Sequence, residues 1–360
     1  MGYADIPLGL SLFFIVGGLA ALTWSSDVFV NGAAALAKML GISPFIIGMV
    51  IIGFGTSAPE LCVSAMSGLT GHANLSLGNA YGSCIFNIAI ILGIAALILP
   101  LRTKPSVTFF AGPLLAAITG YSAWILRDNV CTRGEALSLL VIFLLVMPAY
   151  CWFDQKAKNA ADGPVKAKPR REELLSREVD SPLAAEEANE KTFGVLAPVG
   201  KIVVGLAVLV ASSHFLVWGA VDFAKFVGVS DLVIGLTIVA AGTSLPELAC
   251  AVSSAWRGEH EFVLGNIIGS NIFNTLGVVG VAVALSPLET GLDGSPAFSP
   301  FILTRDLPVM ALMSLSISLF GINWTHPKRD GVIGRLEAVL WILSFIGYTV
   351  LMFIQESRVT

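Results

Sequence analysis

The sequence predicts an all-α polytopic membrane protein: ten transmembrane helices as two inverted five-helix repeats, with broken helices 2 and 7 at the centre. Three observations predict it. The 360-residue chain is 55% hydrophobic and 13% charged, whereas soluble domains carry about 25% charged residues. Its apolar runs reach the ~20 residues that a spanning helix needs. Two hexapeptides, GTSAPE at 55–60 and GTSLPE at 242–247, set a proline and an ionisable glutamate inside such runs.

The spans are expected, in order, at 7–36, 42–68, 75–99, 106–127, 134–153, 198–226, 230–256, 262–285, 302–322 and 332–354. Nothing before the first run has the charged flank and small-residue site of a cleaved signal peptide, so that run is expected to be a retained span. Helices 1 and 6 are long and are expected to run tilted. Helices 2 and 7 contain the hexapeptides. Helices 3 and 8 carry Gly78-xxx-Gly82 and Gly265-xxx-Gly269, spacings that let a neighbouring backbone approach closely. These glycines are expected to bring helix 3 against broken helix 2, and helix 8 against broken helix 7. Helices 4, 5, 9 and 10 are read from apolar length alone.

One connection, 154–197, is long and hydrophilic, with eight Lys/Arg and nine Asp/Glu. It is read as a solvated linker that divides the chain into 1–153 and 198–360. With this loop in the cytoplasm, sixteen Lys/Arg fall on the cytoplasmic side and five on the other. The positive-inside rule then puts both termini outside and the loop inside, in a cell (inner) membrane. The five cysteines show no zinc-ligand spacing and are read as small hydrophobes in packed helices. No basic stripe suggests nucleic acid.

A constant offset of 187 aligns the halves without a gap from Ser25 to Gly93. SSDVFVNGA at 25–33 meets SSHFLVWGA at 212–220, pairing Asp27 with His214. A packing role is expected for that pair; proton coupling is the alternative. Across 53–93 against 240–280, 17 of 41 positions are identical. The matches are mostly Gly, Pro, Asn, Ser, Thr and Glu, which chance likeness between apolar stretches does not produce. Each half holds an odd number of spans, so equivalent helices cross in opposite directions. Inverted repeats of this kind are a transporter plan, with the interrupted helices meeting near the midplane.

The hexapeptides supply the chemistry. Pro59 lacks an N–H and clashes with the carbonyl of Gly55, so helix 2 must bend or break near Gly53–Pro59; Pro246 repeats this in helix 7. Carbonyls freed in lipid need new partners, either neighbouring hydroxyls or a bound cation. No Lys or Arg lies at matching depth in any span, so Glu60 and Glu247 must be protonated or neutralised by cations. Asn79, Ser83 and Asn87 lie near one face of helix 3, as do Asn266, Ser270 and Asn274 on helix 8. The donors are all oxygens, which suits hard cations and excludes zinc or copper. Two carboxylates match one Ca2+, and the same charge can be met by two or three Na+. Competition of that kind gives exchange. An enzyme is not expected, since the chain has no HExxH motif and no symmetric catalytic set.

GTSAPEL…GNAYGSCIFN and GTSLPEL…GNIIGSNIFN resemble the two α-repeats of the cation/Ca2+ antiporter superfamily, the sodium/calcium exchangers. The resemblance covers both α-repeats, about 42–99 and 230–285, and the ten-span plan. It implies exchange of Na+ for Ca2+ by alternating access, with ions between helices 2, 3, 7 and 8 and no bound cofactor. Carried over by position, Glu60 and Glu247 are the central ligands. Thr56, Ser57, Ser83, Thr243, Ser244 and Ser270 supply oxygens, as do the backbone carbonyls near Gly53 and Ala240, while Asn87 and Asn274 face the centre. Potassium-dependent relatives carry Asp where this chain has Asn274, which weakens a case for K+ co-transport. Cys84 stands opposite Asn271, so the halves are not equivalent there. The short loop has no room for calcium-sensing β-domains, which suggests a compact, prokaryote-like member. A Ca2+(cation)/H+ antiporter on the same scaffold is the alternative.

Overall fold

A computed structural model of the chain describes residues 7–69, 73–161, 195–226, 240–289 and 297–356. Among them, eight helices are long and apolar enough to cross a membrane, and a bent pair makes a ninth crossing. In order these are α1 (Leu8–Leu40), the bent pair α2 (Pro44–Thr56) and α3 (Ala58–Leu69), α4 (Ala73–Ile98), α5 (Pro105–Leu126), α6 (Arg133–Ala161) and α7 (Leu196–Phe226). After a helical turn at Ala240–Gly242 come α8 (Leu245–Trp256), α9 (His260–Leu285), α10 (Ile302–Gly321) and α11 (Arg335–Glu356). The seventh expected span begins at 230, and its first ten residues lie outside the described ones. The other expected spans each match a helix or the bent pair.

Local chemistry sets the boundaries. Gly41 ends α1 with a left-handed φ of 65°, a conformation that suits a residue without a Cβ. Ser43 caps α2 by accepting the Ile46 N–H at 3.2 Å, and Pro44 fills the first helical position, where a missing N–H is harmless.

The halves are related as the offset predicts. Helices α1 and α7 pack antiparallel, the start of one against the end of the other. A Cβ at Gly18 would lie 2.9 Å from Cβ of Leu216, and one at Gly205 would lie 2.9 Å from Cβ of Phe29. Gly18 and Gly205 are 187 residues apart, as are Phe29 and Leu216. One contact is thus made twice by equivalent helices running oppositely, which is inversion. The loops repeat the relation. Strand β1 (Leu101–Thr103) pairs antiparallel with β2 (Gly331–Ile333), and Leu288, the repeat partner of Leu101, bridges to Cys131.

Burial ranks the layers. The most apolar window of α9 is 89% buried and that of α4 is 67%, against 22% for α1 and 11% for α11. Helices α4 and α9 are therefore the inner pair, and their apolar faces lie in one core with Val107, Leu115, Leu139, Met310 and Trp341 from the outer helices. The α1–α7 pair forms a smaller cluster around Phe29, Val30 and Leu209.

Candidate cation site

The first break is a 44° bend between α2 and α3 at Ser57. Proline explains it: the residue before Pro59 starts a new helix because Pro59 cannot continue the old ladder. Two consequences place charge here. Glu60 falls in the first turn of α3 and Glu247 in the first turn of α8. A helix N-terminus carries a partial positive charge that favours an anion. Both carboxylates are fully buried.

The two breaks complete each other. Ser57 donates its hydroxyl to Oε1 of Glu247 at 2.8 Å, and Ser244 donates to Oε1 of Glu60 at 3.0 Å. These two bonds are the same bond under the repeat offset. Thr56 donates instead along its own helix, to the carbonyl of Ile52 at 2.9 Å. The Ser83 hydroxyl lies 3.3 Å from that of Ser244. Ser270 donates to the carbonyl of Gly53 at 3.1 Å, so one of the expected carbonyls is held from the opposite repeat. Ala240 occupies the place equivalent to Gly53, at the start of the turn before α8. Asn87 is buried and reaches across to Asn271, and Asn274 is buried in the equivalent stretch of α9. The ion pairs among the described residues join Lys104 to Glu261, Arg257 to Asp27 and Arg305 to Asp306, and none touches Glu60 or Glu247.

One expectation is corrected. The glycine face of α9 does not meet its own broken helix. A Cβ at Gly265 would lie 2.4 Å from the Phe45 carbonyl oxygen, and one at Gly269 would lie 2.2 Å from that of Met49. Close packing thus runs across the repeats, from α9 to α2. Within the first repeat, Ser64 and Ser76 instead bond reciprocally to each other's carbonyls, at 3.1 and 2.9 Å. At Gly78 and Gly82 an added Cβ would meet nothing within 4 Å among the described residues; their counterpart partners, 232 and 236, lie outside them.

The asparagines divide by role. Asn79 donates to the Glu60 carbonyl at 3.2 Å and Asn266 to the Glu247 carbonyl at 3.3 Å. The amide oxygen of Asn79 accepts from Thr243 at 3.4 Å, and that of Asn266 lies 3.4 Å from the Thr56 hydroxyl. Both are engaged in holding the broken helices. Asn87 and Asn274 differ. Oδ1 of Asn87, both amide atoms of Asn274, and Oε2 of Glu60 and of Glu247 are buried with no hydrogen-bond partner among the described residues. Buried polar atoms are normally paired, and each exception needs a reason. Four of these five atoms are oxygens, two from carboxylates. Asn87 and Asn274 also lie at π-helical stretches, Asn87–Leu92 and Phe273–Val278, a distortion that recurs at functional sites. Sequence reasoning missed the cross-repeat bonds of Asn271, and its signal was present in the asymmetry of Cys84 with Asn271.

Asp27 and His214 do not meet the carboxylates. Asp27 accepts from Arg257 at 3.0 Å and from Ser253. His214 lies against the ring of Phe215.

Comparison with known proteins agrees with this architecture. The family model described as sodium/calcium exchanger protein matches residues 10–151 and 198–354. A putative antiporter, CaxA, from Alkalimonas amylolytica is 37% identical over 344 residues, covering 96% of this chain and 99% of its own. The sodium/calcium exchanger MaX1 of Methanosarcina acetivorans is 29% identical, covering 96% and 99%. The solved sodium-calcium exchanger NCX_Mj superposes with a TM-score of 0.74 at 26% identity, over 96% of this chain and 100% of that one.

Proposed function

The chain belongs to the sodium/calcium exchanger protein family, and from that premise we propose that it exchanges Na+ for Ca2+ by alternating access, with Glu60 and Glu247 as the central ligands. It is a multi-pass membrane protein and a cation/Ca2+ antiporter of the sodium/calcium exchanger type. The proposal concerns the coupling ion, the ligands and the orientation.

One observation carries it. Each glutamate has one oxygen tied by a serine of the opposite break and one buried oxygen with no partner among the described residues. Two such carboxylate oxygens with a total charge of −2 and no cationic side chain make a strong sink for hard cations. The Oδ1 of Asn87 and of Asn274 add neutral oxygens, and Thr56, Ser57, Ser83, Thr243, Ser244 and Ser270 with the carbonyls near Gly53 and Ala240 line the same breaks. One Ca2+ neutralises the pair, and so do Na+ ions at separate positions. Both cannot hold the carboxylates together, so loading one ion releases the other. An unloaded site would carry −2 through a low-dielectric barrier, which opposes leak. The inverted halves supply the two states: exchanging their conformations turns an outward-facing site inward.

The orientation in this reading has both termini outside and the charged loop 154–197 inside an inner membrane, from the Lys/Arg asymmetry. The test is reconstitution in Na+-loaded vesicles, with 45Ca2+ uptake measured against an outward Na+ gradient. Uptake that requires Na+ is expected, and Glu60→Gln and Glu247→Gln should each abolish it. Uptake that ignores Na+ but follows a pH gradient overturns Na+ coupling in favour of proton exchange. Near-normal exchange in either glutamine variant overturns the ligand assignment.

A further inference from the structure

We propose that Asn271 is a positioning residue that commits Asn87 to presenting its carbonyl oxygen to the transported cation, whereas Cys84 leaves Asn274 without such a commitment. The inference rests on the cation site just described. It makes the two halves of that site unequal in how firmly they hold an ion.

The commitment follows from donor and acceptor chemistry. The amide of Asn271 lies 3.2 Å from the backbone carbonyl of Cys84. A carbonyl has no hydrogen, so the end of Asn271 facing it must be the NH2. Its other end, Oδ1, then faces Asn87 at 3.1 Å. An amide oxygen only accepts, so Asn87 must turn its own NH2 toward it. The Asn87 carbonyl oxygen is thereby left over, buried and without a partner among the described residues. The Asn271 backbone carbonyl is itself held by Thr275 at 2.8 Å and by the Cys84 thiol at 3.7 Å. Each link is fixed by the one before it, starting from a backbone atom that has no alternative.

The equivalent chain is missing on the other side. The position 187 before Asn271 is Cys84, whose thiol donates and accepts only weakly and whose contacts are Asn271 and Thr275. Asn274 therefore has no residue among the described ones to choose its orientation, and both its amide atoms are buried with no partner there. An uncommitted amide can offer a cation either its oxygen or its NH2, and the NH2 end is repulsive. Binding must select the oxygen-in rotamer at Asn274, while at Asn87 that selection is already made.

The test uses the purified full chain in detergent, with Ca2+ binding by isothermal titration and Na+-driven 45Ca2+ uptake in vesicles. Asn271→Cys should weaken Ca2+ binding roughly three- to tenfold, the order of one hydrogen bond, with melting temperature and uptake at saturating Ca2+ close to wild type. Cys84→Asn should strengthen binding, because an amide there commits Asn274 as Asn271 commits Asn87. The double variant should return near wild type, with the commitment moved to the other half. A purely structural role predicts lost folding or lost maximal rate, with no compensation in the double variant. The proposal is overturned if Asn271→Cys binds Ca2+ as wild type does, or if Cys84→Asn weakens binding like Asn271→Cys. Glu60→Gln separates the two levels: if it binds Ca2+ as tightly as wild type, the cation site itself is misassigned and this inference goes with it. If Glu60→Gln loses binding while Asn271→Cys does not, only the positioning role fails.

Discussion

Gly269→Ala is the sharpest test of how the site is held. An added methyl would sit 2.2 Å from the carbonyl oxygen and 2.7 Å from Cα of Met49. Both are backbone atoms, so no rotamer change relieves the clash. Ordinary contact begins at 3.4 Å, so the α2 and α9 backbones must part by about 1.2 Å at that point. The next residue, Ser270, holds the Gly53 carbonyl at 3.1 Å, and a displacement of that size breaks the bond. Overpacking of a filled interior costs about 1–3 kcal/mol, which is roughly 5- to 150-fold if the transporting arrangement bears it. The assay is Na+-driven 45Ca2+ uptake beside a thermal melt in detergent, with Gly120→Ala as control. Gly120 lies inside α5 with nothing within 4 Å of an added Cβ, so alanine there should hold or raise the melting temperature through helix propensity, by up to about 1 kcal/mol. Gly269→Ala with wild-type uptake and wild-type melting would refute the cross-repeat contact as a support of the site.

Ser57→Ala and Ser244→Ala should weaken Ca2+ binding by similar factors, because each removes one symmetry-related bond to a carboxylate worth about 1.5–3 kcal/mol; a large effect from one and none from the other would argue against the reciprocal arrangement. Asp27→Asn should keep Na+-dependent uptake with an unchanged pH profile, since Asp27 is paired with Arg257 and Ser253 and not with the glutamates; a shifted profile in vesicles would return it to proton coupling. In the loop between α5 and α6, burial first, then Glu135 and Asp128, push the Cys131 thiol up to about 12. Its thiolate is therefore scarce at neutral pH, and alkylation followed by mass spectrometry should find Cys131 unmodified by N-ethylmaleimide at pH 8. The sign for stability follows: the neutral thiol is favoured in the folded chain, so this contribution is present below the ordinary thiol range and is lost as pH rises through about 9 toward 12.

Much of this was legible because the chain states it twice. Glu60, Ser57, Ser83 and Asn87 each have an identical partner 187 residues on, and a doubled polar residue in an apolar run must be used. The direction of packing was not legible. A GxxxG spacing reports that a backbone comes close and says nothing about which one, so it does not reveal that Gly265 and Gly269 pack on α2 and not on α8. Nor does a helical face distinguish Asn79 from Asn87: both lie on it, but Asn79 reaches the Glu60 carbonyl and Asn87 does not. Such distinctions depend on where a side chain ends in three dimensions. The break at Ser57 was legible to within a residue or two, because proline chemistry is local.

The reciprocal serine–glutamate bonds have a consequence for heredity. Neither repeat makes a finished half of the site: the carboxylate encoded in one is completed by the hydroxyl encoded in the other. A single repeat is therefore the monomer of an obligate pair, and it requires a second copy inserted upside down in the same bilayer. Joining the two copies in one chain fixes their number at one to one and their opposite orientation at every synthesis. It also frees each copy to drift alone, which is how position 84 can be a cysteine while its twin at 271 is an asparagine.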